Sequence, residues 1–280
     1  MNKTLKDSLD VIWYFMAFFL IQFIQFIMIW AVRIGTNLAT GQPLIDAANA
    51  ASRPNGDALV LMMLFSSILT ILVFGQFRWS PWSRDYLRSK PWLVVVWTII
   101  LSLGTILPSE WILESLQVRM SEAQVQMFEQ IMGKPMGYIA IGILAPIAEE
   151  MCFRGAILRK LLTMFPKRQH WIAIAVSAVL FALAHFNVVQ SIHAFLIGLL
   201  LGWLYYRTDS ILPGIVFHWI NNTVAYVMFN IMPQMDDGKL IDIFHGNHTE
   251  MLLALVFSLF IMVPAILQLA QHMKPAAKKD

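Results

Sequence analysis

Eight stretches of this 280-residue chain are apolar over the length a helix needs to cross the hydrocarbon of a bilayer, about 20 residues. Residues 11–32, 58–77, 91–107, 172–186, 192–206 and 251–269 are clear spans; 137–162 and 211–231 are long enough but carry polar groups. Nothing else in the chain constrains its fold so strongly. Only 13% of the residues are charged, against about 25% in a soluble domain that must clothe its surface. The expectation is an all-α, polytopic membrane bundle of about eight transmembrane helices. Its parts are N-terminal helices with a connecting segment (1–136), a polar-bearing core (137–231), and a last loop, helix and basic tail (232–280), all in one membrane domain. The first run spans by itself and no small-residue cleavage site follows it, so it is expected to remain as a helix.

With the N-terminus inside, the segments on that side carry most of the Lys and Arg, from Lys3 and Lys6 through Arg78, Arg84, Arg88 and Lys90 to Lys274, Lys278 and Lys279. The opposite side carries only Arg33, Arg53, Arg119, Lys134 and Lys239. This asymmetry predicts an integral protein of the cell membrane with both termini cytoplasmic. It also accounts for the net charge of +3 without a nucleic-acid partner; the partners expected are the lipid bilayer and a peptide or membrane-protein substrate. Segment 108–133 reads as an amphipathic external or interfacial helix. Gly198 and Gly202 form a small-xxx-small pair for close helix packing.

Ionisable groups inside spans are expensive, roughly 2.5–3.5 kcal/mol each on insertion scales, and mark function by default. Here they fall in three helices. Glu149-Glu150-Met151-Cys152-Phe153-Arg154 follows an apolar run; Glu150 and Arg154 are i,i+4 neighbours that can pair, leaving Glu149, about 100° round the helix, free for proton chemistry. His185 ends the 172–186 run, and His218 and Asn222 share a face at i,i+4 while Asn221 is turned away. Taken singly, the clusters also read as an interfacial ion pair, a buried histidine satisfied by one hydrogen bond, and polar glue between helices. Together, a carboxylate, two imidazoles and a carboxamide supply the groups for hydrolysis: a base for water, a group to position it, and donors for an oxyanion.

Glu149-Glu150-x-x-x-Arg154, Phe181-x-x-x-His185 and His218-x-x-x-Asn222, in this order on successive apolar helices, resemble the three motifs of the CAAX-protease and bacteriocin-processing (CPBP, or Abi) family, which contains the type II CAAX prenyl endopeptidases. The likeness covers roughly 139–230. It implies an eight-helix intramembrane endopeptidase with a cavity open to cytoplasm and lipid, acting on a membrane-associated or CAAX-like peptide. It implies Glu149 as general base, His185 as an aid to water activation, and His218 with Asn222 as the oxyanion site. Glu150 and Arg154 become the supporting pair.

No cofactor is expected. Zinc, if bound, would take Glu149, His185 and His218, a count that suits a catalytic site. Using the glutamate as a ligand removes the base, however, and no His-Glu-x-x-His places two ligands on one helix. The serine elbow Gly-x-Ser-x-Gly is missing too. His193 reads as an interfacial hydrogen-bonder opening its helix, Asn187 and Gln190 as residues of the cavity mouth, and Cys152 as a small apolar filler. His245 and His248, with Asp236, Asp237 and Asp242, read as a solvated external loop. Two other functions compete with the peptidase. A proton-coupled carrier would show inverted repeats, which this chain lacks. A non-catalytic scaffold or bacteriocin-immunity protein of the same fold would use the groups only to bind.

Overall fold

The computed structural model describes residues 3–232 and 239–275, which are helical with no strand among them. Asp236, Asp237, Lys278 and Lys279 lie outside the described residues. We number the helices α1 (Lys3–Ala39), α2 (Leu44–Ala51), α3 (Gly56–Gln76), α4 (Arg84–Arg88), α5 (Trp92–Ser115) and α6 (Glu122–Met132). Then come α7 (Pro135–Met164), α8 (His170–Leu183), α9 (Val188–Thr208), α10 (Leu212–Ile231), α11 (Leu240–Ile243) and α12 (His248–His272).

All eight apolar runs form helices, and six of them (α1, α3, α5, α7, α9 and α12) are long and apolar enough to cross a membrane by length and composition. The protein is an integral membrane protein. The two runs that fall short do so for different reasons. Helix α10 has 20 residues but interrupts its apolar run with His218, Asn221 and Asn222. Helix α8 has 14 residues, about 21 Å at the helical rise, against a hydrocarbon layer of about 30 Å. The turn that carries His185 follows at its end.

Segment 108–133 is not one helix. Helix α5 runs on through Pro108 to Ser115, because Ser109 and Leu113 continue its buried face. The chain then breaks at Gln117, whose φ of 54° is left-handed. A fresh helix, α6, starts at a capping box in which Ser121 and Gln124 satisfy one another's backbone N–H groups.

Helix α7 is the buried axis. Every residue from Met151 to Leu158 is buried, and this stretch packs against α1, α3, α8 and α9. Two of its segments, Tyr138–Leu144 and Met151–Leu158, wind in wider π turns on either side of the two glutamates; such turns occur preferentially at functional sites. Large apolar side chains on the outer helices, among them Phe23, Leu72, Phe257 and Phe260, face outward, as lipid permits and water does not. Gly198 and Gly202 let α9 approach α8: a Cβ on Gly198 would stand 3.1 Å from Ala178, and one on Gly202 2.7 Å from Ile174.

Polar contacts sort the helix ends into two sets. Lys160, late in α7, pairs with Asp7 and Asp10 at the start of α1, and Arg207 at the end of α9 donates to the Ala270 carbonyl at the end of α12. At the other end Lys134, just before α7, pairs with Asp57 at the start of α3, and Tyr226 of α10 donates to the Lys134 carbonyl. These pairings set the start of α1 against the end of α7, and the starts of α3 and α7 side by side at the opposite end.

Candidate active site

Glu150 and Arg154 lie one turn apart on α7, both with fully buried side chains, and Arg154 Nη1 donates to Glu150 Oε1 at 2.8 Å. A buried charge is tolerable only when paired and hydrogen-bonded. Arg154 has two further supports: Nη2 donates to the Gly198 carbonyl at 3.3 Å, and its guanidinium carbon stands 4.4 Å above the centre of the Phe181 ring. On the far side, Gly214 of α10 lies so close that a Cβ there would fall 2.3 Å from Glu150 Oε2. Glycine is needed at 214 because the carboxylate it abuts is locked to Arg154 and cannot retreat. Gly214→Ala is expected to lose about 1–3 kcal/mol of stability through overpacking, read as a lower unfolding midpoint in detergent; an unchanged midpoint refutes the contact.

Glu149 stands outside this pair. Its side chain is 21% exposed, and its Oε2 lies 3.7 Å from His218 Nε2. The same ring presents Nδ1 to Glu150 Oε1 at 3.5 Å. Both separations exceed a hydrogen bond. His218, itself buried, thus bridges the two adjacent carboxylates, and α10 is drawn onto α7 at this point.

His185 sits in the turn beyond α8. Its Nδ1 is 2.9 Å from the Phe181 carbonyl; a carbonyl only accepts, so Nδ1 carries a proton and Nε2 is left without this partner. His185 forms no hydrogen bond or ion pair with Glu149 or His218 among the described residues. What joins them is the Phe181 ring, edge-on to His185 at 4.9 Å and to His218 at 5.8 Å. The backbone of this turn, outside any helix, has polar partners. Gln124 Nε2 donates to the Phe186 carbonyl, Ser191 Oγ to the Ala182 carbonyl, and the Asn187 side chain caps Gln190 N–H.

Asn222, one turn beyond His218 on α10, reaches across to α7. Its Nδ2 donates at 2.9 Å to the Ile141 carbonyl, in the wide-turned part of α7. Pro146, a turn further on, brings no N–H to this stretch of helix, and the carboxamide supplies a donor there instead. Asn222 Oδ1 accepts from Asn221 Nδ2 at 3.4 Å, and Asn221 Nδ2 also stands 3.2 Å from His193 Nε2. Two residues outside the sequence-predicted set therefore belong to this cluster. Asn221, turned from the His218 face, points to α9, and α9 starts at Val188, which puts His193 in its second turn rather than at its opening. The signal that marks His193 is the same as for the others, an ionisable group within an apolar run; it lies within Coulombic reach of both His185 and His218.

Among the described residues no three His, Cys, Asp or Glu are grouped to hold an ion; with Nδ1 on the Phe181 carbonyl, His185 has Nε2 alone to offer a ligand. Beside the His185 turn an open apolar cavity of about 720 Å³ lies between α1, α8 and α9, lined by Phe15, Phe19, Leu183, Phe186 and Phe195 with Asn187 at its edge. Gln190 does not line it. His245 and His248 stay at the surface before and at the start of α12.

Residues 132–224 match the family model described as Type II CAAX prenyl endopeptidase Rce1-like. The match begins just before α7 and ends within α10, so it takes in all three motifs. No curated protein and no solved structure matches the chain.

Proposed function

With residues 132–224 forming an Rce1-like domain, of a protease family, we propose that the protein is an intramembrane endopeptidase in which Glu149 activates water. Its substrate is a membrane-associated peptide of CAAX type. One observation carries the reading: Glu149, the carboxylate left over by the Glu150–Arg154 pair, is partly accessible and faces His218 of another helix at 3.7 Å.

Glu149 takes a proton from water as the water oxygen bonds to the scissile carbonyl carbon. In the neutral ring, His185 Nε2 accepts the second water proton as a hydrogen bond and fixes the direction of attack. As Glu149 gains the proton it loses its charge, and with it the attraction for the His218 N–H. That N–H then turns to the oxyanion, whose charge grows in the same step, and Asn222 contributes the N–H that it does not spend on Ile141. When the C–N bond breaks, Glu149 returns its proton to the leaving amine. Glu150 and Arg154 hold the helix that carries the base. No metal enters. The open apolar cavity beside His185 receives the apolar part of the substrate, and the excess of Lys and Arg puts both termini on the cytoplasmic face of the cell membrane.

The test is hydrolysis by the purified protein in liposomes of an internally quenched peptide ending Cys-aliphatic-aliphatic-X, farnesylated on the Cys. Release of the C-terminal tripeptide is expected. An intact probe, together with membrane peptides that do not differ between cells carrying wild type and Glu149→Gln, sinks the peptidase and leaves a binding protein. A zinc chelator is expected to leave the rate unchanged; a loss that added zinc restores would make the site metal-dependent.

A further inference from the structure

We infer that His193 is a positioning residue of this site, acting through Asn221 on the Asn222 carboxamide; the inference rests on the peptidase reading above. The argument is one of hydrogen-bond direction. The Ile141 carbonyl can only accept, so Asn222 must turn its amino group there and its Oδ1 toward Asn221. Asn221 must then donate to Asn222. Its amino nitrogen is the same atom that stands 3.2 Å from His193 Nε2, so its second N–H goes to the imidazole. Nε2 accepts, and the ring proton is on Nδ1, a buried atom with no partner among the described residues.

Every link depends on the next. If His193 presents N–H at Nε2, it meets an N–H of Asn221; the Asn221 amide must rotate, and Asn222 loses the donor to its Oδ1. The carboxamide is then held by Ile141 alone, and its remaining N–H is no longer fixed toward the oxyanion. The chain crosses α9, α10 and α7, and its middle member is buried. A simple tie between two helices needs one hydrogen bond; this row uses both N–H groups of one amide.

The experiment compares His193→Leu, His193→Gln, Asn221→Leu and the double variant His193→Leu/Asn221→Leu in the farnesyl-peptide assay. His193→Leu lowers kcat about tenfold with KM unchanged, as expected when a group acting on the transition state is loosened. Gln keeps an acceptor for Asn221 and restores most of the rate, and the double variant is no slower than either single one. Nitrogen NMR of the histidine-labelled protein in bilayers shows His193 with its proton on Nδ1. A wild-type kcat per folded molecule in His193→Leu, or an Nε2–H in the spectrum, overturns the inference. If wild type leaves the probe intact, it is the peptidase reading that fails, and the spectrum still decides the polarity of the chain.

Discussion

Replacing Glu149 with Gln lowers the rate of probe hydrolysis by about a thousandfold, in the middle of the range for a general base, while the protein inserts and unfolds like wild type. The two halves of this result come from the same geometry. Gln is isosteric with Glu but cannot take a proton, so the attacking water loses its base. The side chain is partly exposed, and its ion-pair contact, with His218 at 3.7 Å, is too long for a hydrogen bond that would hold the fold. Gln still presents an oxygen to buried His218, which also keeps Glu150 at 3.5 Å, and Glu150 remains with Arg154. The measurement is kcat in liposomes beside an unfolding midpoint in detergent. A rate within threefold of wild type would remove Glu149 from the chemistry. A collapse of the midpoint would show instead that the carboxylate is structural, and Glu149→Asp, which keeps the charge on a shorter arm, separates the cases by retaining fold and a fraction of the rate.

The contrast between the two glutamates was half legible in the sequence. An i,i+4 Glu–Arg pair is fixed by the helix itself, so Glu150 and Arg154 were predictable from spacing. That Glu149 remains free followed by subtraction. Likewise the helices were legible, because lipid demands an uninterrupted apolar run whatever that run packs against. The meeting of different helices was not. His218 between two carboxylates depends on how α10 is phased against α7, and the wide turns Tyr138–Leu144 and Met151–Leu158 shift that phase where the sequence offers no 3.6-residue rule to count on. The same reason hid Asn221 and His193. A residue turned away from one neighbour is turned toward another, and which helix stands there is a property of the bundle. The 108–133 segment failed differently: the apolar run stops at Leu107, yet α5 passes on through Pro108 because the buried face continues to Leu113.

Arg154→Leu is expected to destabilise the protein by about 3–5 kcal/mol, the penalty for removing one member of a buried ion pair. The loss has three parts that can be told apart. Leu abolishes the 2.8 Å hydrogen bond to Glu150, removes the second donor to the Gly198 carbonyl and takes away the cation over Phe181. The first dominates, because Glu150 is fully buried, wedged against Gly214 with its other oxygen already unpaired, and has no route to water. Arg154→Lys keeps a charge for Glu150 but, as a compact ammonium lacking the planar fork, cannot also reach the Gly198 carbonyl; it is expected to recover part of the loss. Adding Glu150→Met to Arg154→Leu should bring the stability back toward wild type, because an apolar pair of similar volume strands no charge. That reversal is the decisive measurement, read as the reversible unfolding midpoint in detergent for the two single variants and the double. If the double variant is as unstable as Arg154→Leu alone, the cost is lost packing around the guanidinium and not a stranded carboxylate. If it is restored but hydrolysis stays low, the pair is present to aim Glu149 rather than to hold the bundle together.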